Sequence, residues 1–238
     1  MRVAETRFIR SAARPADFPA DGCPEIALAG RSNVGKSSLI NALVRRDVAR
    51  TSAAPGKTRL VNLYRVEPGG RAAAAFYLAD LPGYGHAGGG EESAREFDRL
   101  TDEYFRLEVT GYRLQGTGYR LQGGVGDQRS GARRLPPAGS GSQGDRGRRR
   151  WIAGVVLAID ARHPGLARDV AAYRWFGAQE APVALVATKS DKLSQADRAR
   201  LGRDTATSFG VAALAVSAVT GEGLEQLWTH LLKWIRRK

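Results

Sequence analysis

Two periods of apolar and polar residues take turns along the chain. Glu25 to Ala29 is a short apolar run ending at Gly30, which reads as a buried strand. Lys36 to Val44 then sets Leu39, Ile40, Leu43 and Val44 at helical spacing, so a helix opens right after a glycine-bearing turn. Leu60 to Val66 alternates like a half-exposed strand, Pro68-Gly69-Gly70 reads as a turn, and Ala73 to Ala79 as a strand ending at Asp80. The pattern predicts further helices over Glu91–Leu107, Gly165–Gly177, Gln195–Phe209 and Leu224–Ile235. It predicts strands over Ile152–Ile159, Val183–Ala187 and Val211–Val216. Strands alternating with helices imply an α/β fold, a mostly parallel central sheet flanked by helices on both faces.

Residues 109–150 break this pattern, being rich in Gly, Ser, Pro and Arg. They contain the heptapeptide Thr-Gly-Tyr-Arg-Leu-Gln-Gly twice in tandem, at 110–116 and 117–123. Nine arginines against two aspartates give the segment +7 of the chain's +13 net charge. Such a composition offers too little apolar surface to offset its ordering entropy, and it reads as a disordered insertion. Two readings of it stand side by side: an arginine-rich arm that contacts RNA, or a repeat expansion tolerated in a surface loop. Residues 1–22 read as an N-terminal extension packing on the domain, and 23–238 as the domain itself, interrupted by this insertion.

The 238 residues, 42% of them hydrophobic, suffice for one well-filled core. A positive excess of this size favours an acidic partner, most simply nucleic acid or an anionic membrane surface. The one cysteine, Cys23, excludes an intrachain disulfide and fits a reducing cytoplasmic compartment. Met1–Arg14 lacks the apolar centre of a signal peptide, and no apolar run approaches the ~18 residues that cross a bilayer, so no stable membrane insertion is expected.

The chemistry lies at strand ends. Gly30-Arg31-Ser32-Asn33-Val34-Gly35-Lys36-Ser37 fits G-x-x-x-x-G-K-[ST] between a predicted strand and a predicted helix. Its glycines let backbone amides approach phosphates, Lys36 would reach the β- and γ-phosphates, and Ser37 would ligate Mg²⁺. Asp80-Leu81-Pro82-Gly83 ends a strand, so Asp80 would hold Mg²⁺ through a water and the Gly83 amide would face the γ-phosphate. Thr188-Lys189-Ser190-Asp191 follows another strand. The Asp191 carboxylate can accept from guanine N1–H and the 2-amino group, whereas adenine would leave it unpaired. Lys189 would lie along base and ribose. Val216-Ser217-Ala218 ends the last strand, where the Ala218 amide could meet guanine O6. Gly56-Lys57-Thr58-Arg59-Leu60 joins the first helix to the second strand, and Thr58 would complete the Mg²⁺ shell only with GTP bound. These residues are expected to bind GTP or GDP, with Lys36, Thr58 and Gly83 as the catalytic set and Ser37, Thr58 and Asp80 on the metal.

The position after Asp80-Leu-Pro-Gly83, where other switches carry a water-orienting Gln, is Tyr84. Slow intrinsic hydrolysis follows. Asn33 either bonds the loop backbone or helps bind K⁺ beside the phosphates, where a cation would stabilise developing charge.

Five stretches together resemble the EngB-type (YihA/YsxC) ribosome-biogenesis GTPases of bacteria: 30–41, 51–58, Asp80-Leu-Pro-Gly-Tyr-Gly85, Asp160-Ala-Arg-His-Pro164 and Thr188-Lys-Ser-Asp-Lys192. The resemblance covers nearly the whole chain except 109–150. It implies a single Ras-like P-loop domain, acting as a monomer with GTP and Mg²⁺ on the large ribosomal subunit or its precursor, through ribosomal RNA and proteins. It also implies a link to cell division and septation. Two departures stand out: the basic insertion, and His86-Ala-Gly-Gly-Gly90, where the family carries a lysine-containing segment. Two other readings are a GTPase acting on another RNA, and a module that holds a nucleotide without turnover.

Overall fold

The computed structural model describes residues 3–50, 60–69, 74–85, 98–105, 150–179 and 181–236. Gly56–Arg59, the start of the helix expected from Glu91, and nearly all of the basic segment lie outside them.

Seven strands form one sheet: β1 (Val3–Ala12), β2 (Pro24–Gly30), β3 (Val61–Pro68), β4 (Phe76–Asp80), β5 (Trp151–Asp160), β6 (Val183–Thr188) and β7 (Leu214–Ala215). Their order is β1-β3-β4-β2-β5-β6-β7. From β4 to β7 every pairing is parallel, and β3 and β1 add antiparallel at one edge. Among the described residues the helices are α1 (Lys36–Val44), α2 (described over 98–105), α3 (Ala167–Gly177), α4 (Gln195–Phe209) and α5 (Leu224–Ile235).

The two faces of the sheet sort by strand alternation. Ile26, Leu28, Leu78, Val156 and Val186 point to one face, against Leu39, Ile40 and Leu43 of α1 and Leu227, Leu231 and Trp234 of α5. Ala27, Ala29, Ala79, Val155, Leu157 and Leu185 point to the other, against Tyr104 and Phe105 of α2, Phe176 of α3 and Leu201 of α4. Central β2 is buried along its whole length, as a parallel strand covered on both faces must be.

Helices α4 and α5 keep the bounds their periodicity predicts. Ser194 caps α4 by accepting from the Asp197 amide, and Gly210 ends it in the left-handed conformation. The last strand is shorter than predicted, two residues instead of 211–216, because the chain here only grazes the sheet edge beside β6. The sequence pattern shows no strand over 3–12, since this edge strand exposes much of its length and bulges twice in its pairing with β3.

Arg150, compositionally part of the basic segment, is anchored in the fold. Its guanidinium meets both carboxylate oxygens of Glu25 at 2.6 and 2.7 Å and donates to the Tyr104 carbonyl at 3.0 Å. The Tyr104 hydroxyl donates to Glu25 as well. The rings of Phe18 and Tyr104 lie 4.3 and 4.7 Å from the guanidinium carbon. Both flanks of 106–149 therefore meet at the N-terminal ends of β2 and β5. Gly30 and Asp160 mark the opposite edge of the sheet.

Removing one partner of so buried a pair strands the other. Arg150→Ala should lower unfolding stability by about 3–5 kcal/mol in urea titration, whereas Arg14→Ala, at an exposed ion pair, should change it by less than about 1 kcal/mol.

Candidate functional site

The C-terminal ends of β2, β4, β5 and β6 carry the predicted motifs to one edge, where open α/β sheets bind ligands. β2 runs into the loop 31–35, and α1 starts at Lys36 with Gly35 at its N-cap. Gly35 has φ 103°, and no side chain caps the helix, which leaves its first-turn amides for an anion. The Lys36 ammonium is buried and donates to the carbonyls of Gly30 (3.1 Å) and Arg31 (3.3 Å).

Asp80 ends β4 beside it. Ser37 Oγ donates to Asp80 Oδ2 at 3.2 Å, while the buried Oδ1 has no hydrogen-bond partner among the described residues. Burial lowers the Lys36 pKa, against the pull of Asp80. Burial likewise raises the Asp80 pKa, against Lys36 and the Ser37 hydroxyl. Each charge is thus under-compensated. A phosphate beside Lys36 and a divalent cation beside Ser37 and Asp80 would relieve both, so the donor set fits Mg²⁺ with a nucleotide.

Gly83 follows on the same loop. A Cβ there would fall 2.7 Å from the Ser32 amide nitrogen, so only glycine allows this approach. Ser32 Oγ donates to the Gly83 carbonyl and the Ser32 amide to the Tyr84 carbonyl. Tyr84 is buried, and its hydroxyl donates to Asp169 at 2.9 Å.

The base-reading end is a second cluster. Thr188 Oγ1 donates to the Val34 carbonyl (2.6 Å) and, at 3.0 Å, the Ile159 carbonyl is also within reach, which ties β6 to the phosphate loop. Lys189, left-handed at φ 61°, reaches the Asn33 carbonyl at 2.8 Å and Asp160 Oδ2 at 2.9 Å. Ser190 donates to Glu222, which pairs with Arg198. Asp191 Oδ1 accepts from Ser217 Oγ at 2.7 Å, and Ser217 Oγ accepts from the amides of Val219 and Thr220. That hydroxyl, opposed by desolvation and helped by Lys192, holds the Asp191 carboxyl below its ordinary pKa. Asp191 is thus an ionised, oriented acceptor, as a guanine contact requires.

The structure therefore brings Gly30–Ser37, Asp80–Gly83, Thr188–Asp191 and Val216–Ala218 to one edge. Several of these residues turn their side chains inward: Val34, Leu81 and Val216 into the core, Arg31 to Asp169, and Ser190 to Glu222. Leu60 stands exposed before β3. Sequence reasoning missed Asp169 and Glu222, which lie far along the chain from what they hold, and Arg198, which pairs with Glu222 and donates to the Ser190 carbonyl. Asp160 was visible in its Asp-Ala-Arg-His signature without a role. Here it accepts from Arg162 Nε and Nη2 and from Lys189, and these bonds, against desolvation, depress its pKa strongly.

A phosphate loop, a cation-ready Ser–Asp pair and a guanine-ready carboxylate on a Ras-like sheet define a P-loop GTPase. The family model described as a 50S ribosome-binding GTPase matches residues 25–110. The probable GTP-binding protein EngB of Pelotomaculum thermopropionicum is 36% identical over 99% of this chain and 98% of its own length. That of Geobacillus thermodenitrificans is 31% identical over 99% of both. The chain belongs to the EngB family of GTP-binding proteins, and it is a GTPase. Among solved structures, a probable GTP-binding protein engB shares the fold with TM-score 0.55 and 19% identity over 90% of this chain and 99% of its own. Era in complex with MgGDPNP and a 16S ribosomal RNA segment shares it with TM-score 0.62 and 19% identity over 91% of this chain and 58% of its own.

The geometry of Asp191 makes base choice testable. Asp191→Asn should lose GDP affinity by about a hundredfold or more and gain relative affinity for xanthosine diphosphate, whose 2-oxo group accepts a donor. Titration calorimetry with both nucleotides measures this. Unchanged GDP affinity would remove Asp191 from base reading.

Proposed function

We propose that this GTPase is a switch in assembly of the large ribosomal subunit. It would bind GTP with Mg²⁺ in the cytoplasm, as a monomer, and contact ribosomal RNA and protein in one nucleotide state. Membership of a family whose model carries a 50S ribosome-binding description is the observation that carries this reading. The +7 charge of residues 109–150 supports a polyanionic partner. A role in cell division and septation would follow from ribosome supply.

In this reading Lys36 and the α1 amides hold the β- and γ-phosphates, Thr58 joins Ser37 and Asp80 on the metal with GTP bound, and the Gly83 amide senses the γ-phosphate. Mg²⁺ bound there would neutralise charge on the phosphate oxygens. Asp191, Lys189 and the Ala218 amide hold the guanine. With Tyr84 committed to Asp169, no side chain at that position orients the attacking water. Intrinsic turnover is then expected within about tenfold of the ~10⁻⁴ s⁻¹ of an unassisted Ras-type switch.

Sucrose-gradient sedimentation of cell extract with GTP analogue or GDP tests the assignment. The protein should follow large-subunit particles with one nucleotide and leave them with the other. Sedimentation at the top of the gradient in both states would overturn it. Deletion of 111–148 should weaken the association and flatten its salt dependence, since fewer counterions are released, and leave nucleotide affinity unchanged. Identical particle binding at every salt concentration would make the segment an inert expansion.

Potassium is the proposed activator within the site. Asn33 is exposed at φ 61°, its carbonyl is held by Lys189, and its side-chain amide makes no hydrogen bond among the described residues. Turnover in K⁺ should exceed that in Na⁺ at equal ionic strength by about tenfold, and Asn33→Ala should abolish the difference. Equal rates in both salts would leave the ribosomal particle as the activator.

A further inference from the structure

Asp169 sits in the first turn of α3, fully buried, far along the chain from the residues it serves. Arg31 Nε donates to both its carboxylate oxygens, at 3.1 and 3.2 Å, and Tyr84 donates to Oδ1 at 2.9 Å. Arg31 belongs to the phosphate loop, and Tyr84 is the residue after Asp80-Leu-Pro-Gly83. One carboxylate therefore grips two loops that come from different strands. The backbone repeats the tie: Arg31 and Tyr84 form a parallel bridge beyond the ends of β2 and β4, and the Ser32 amide donates to the Tyr84 carbonyl at 3.1 Å. The neighbouring Arg168 donates to the Gly85 carbonyl, so the first turn of α3 holds this loop at two points. Pressed between them, Gly83 lies close enough to Ser32 that a Cβ would not fit.

A buried carboxylate needs such partners to stay ionised. Desolvation raises the Asp169 pKa, and Tyr84 and Arg31 oppose it. Removing either donor weakens the hold on the loop that donor belongs to and leaves the carboxylate short of a bond. The position of Gly83 against the phosphate loop thus depends on a residue that touches no nucleotide.

We propose that Asp169 is a positioning residue for the GTPase cycle: by latching Tyr84 to Arg31 it pre-places the Gly83 amide for the γ-phosphate and so sets the preference for GTP over GDP. GDP ends at the β-phosphate, which Lys36 and the α1 amides hold without help from this loop. Loosening the latch should cost GTP binding and spare GDP. The inference rests on the reading of Gly83 as the γ-phosphate contact.

The test is the ratio of affinities for a non-hydrolysable GTP analogue and for GDP, by calorimetry on the full chain. The variants are Tyr84→Phe, Asp169→Asn and Gly83→Ala, each checked for folding by its melting temperature with GDP. Tyr84→Phe removes one hydroxyl and should lower analogue affinity about threefold, and Asp169→Asn about tenfold, with GDP affinity within about twofold of the parent in both. A merely structural role would weaken both nucleotides alike. Equal losses for the two nucleotides, no loss for either, or tighter analogue binding would each overturn the latch. If Asp169→Asn does not fold, Tyr84→Phe carries the test alone. Gly83→Ala separates the two ideas. A lowered ratio in Gly83→Ala without one in the latch variants rejects the latch and keeps the Gly83 reading. An unchanged ratio in Gly83→Ala rejects the Gly83 reading itself.

Discussion

Keeping an ammonium and a carboxylate buried side by side at the edge of an apolar sheet is the constraint around which this molecule is arranged. Lys36 and Asp80 each lose hydration that their mutual attraction does not restore, as the opposite shifts of their pKa values show. Such a pair persists only where the surrounding backbone is held in place. β2 and β4, adjacent and parallel, deliver the two residues to the same edge, and the apolar alternation of both strands fixes which face each neighbour takes. A phosphate beside Lys36 and a cation beside Ser37 and Asp80 would each supply the opposite charge these groups lack.

Much of the holding is done by side chains that bond one loop of the site to another. Thr188 bonds the Val34 carbonyl, Lys189 bonds the Asn33 carbonyl, and Asp160 steadies Lys189. Asp169 joins Arg31 to Tyr84, while Glu222 links Ser190 to Arg198. The segment from Asp160 to Asp169 thus touches both ends of the site, the base-reading loop through its first carboxylate and the loop after β4 through its last. The family-like Asp-Ala-Arg-His stretch gains a physical role here: Arg162 and Lys189 neutralise Asp160, which in turn orients Lys189.

The opposite edge of the sheet solves a different problem. Glu25 stands near the start of a strand that is buried throughout, and Arg150, at the end of a long basic segment, pairs with it under two aromatic rings. Because Arg150 also bonds the Tyr104 carbonyl, the residues on either side of 106–149 lie together. The ends of β2 and β5 that carry Gly30 and Asp160 lie at the other edge of the sheet from those points.

The amino-acid order alone determined the α/β alternation, the bounds of α4 and α5, and the motif residues at strand ends. These depend on local periodicity, caps and turn chemistry, all of which act within a few residues. The edge strand β1 and the brevity of β7 escaped it, because strands at an edge expose residues that a central strand buries and so lose the apolar signal. What Arg31, Tyr84, Ser190 and Arg150 do was decided only in three dimensions. Each is a polar side chain whose partner lies between 32 and 138 residues away. No spacing rule reaches that far: desolvation makes a buried polar group find a partner, and the packing of the sheet decides which one it finds.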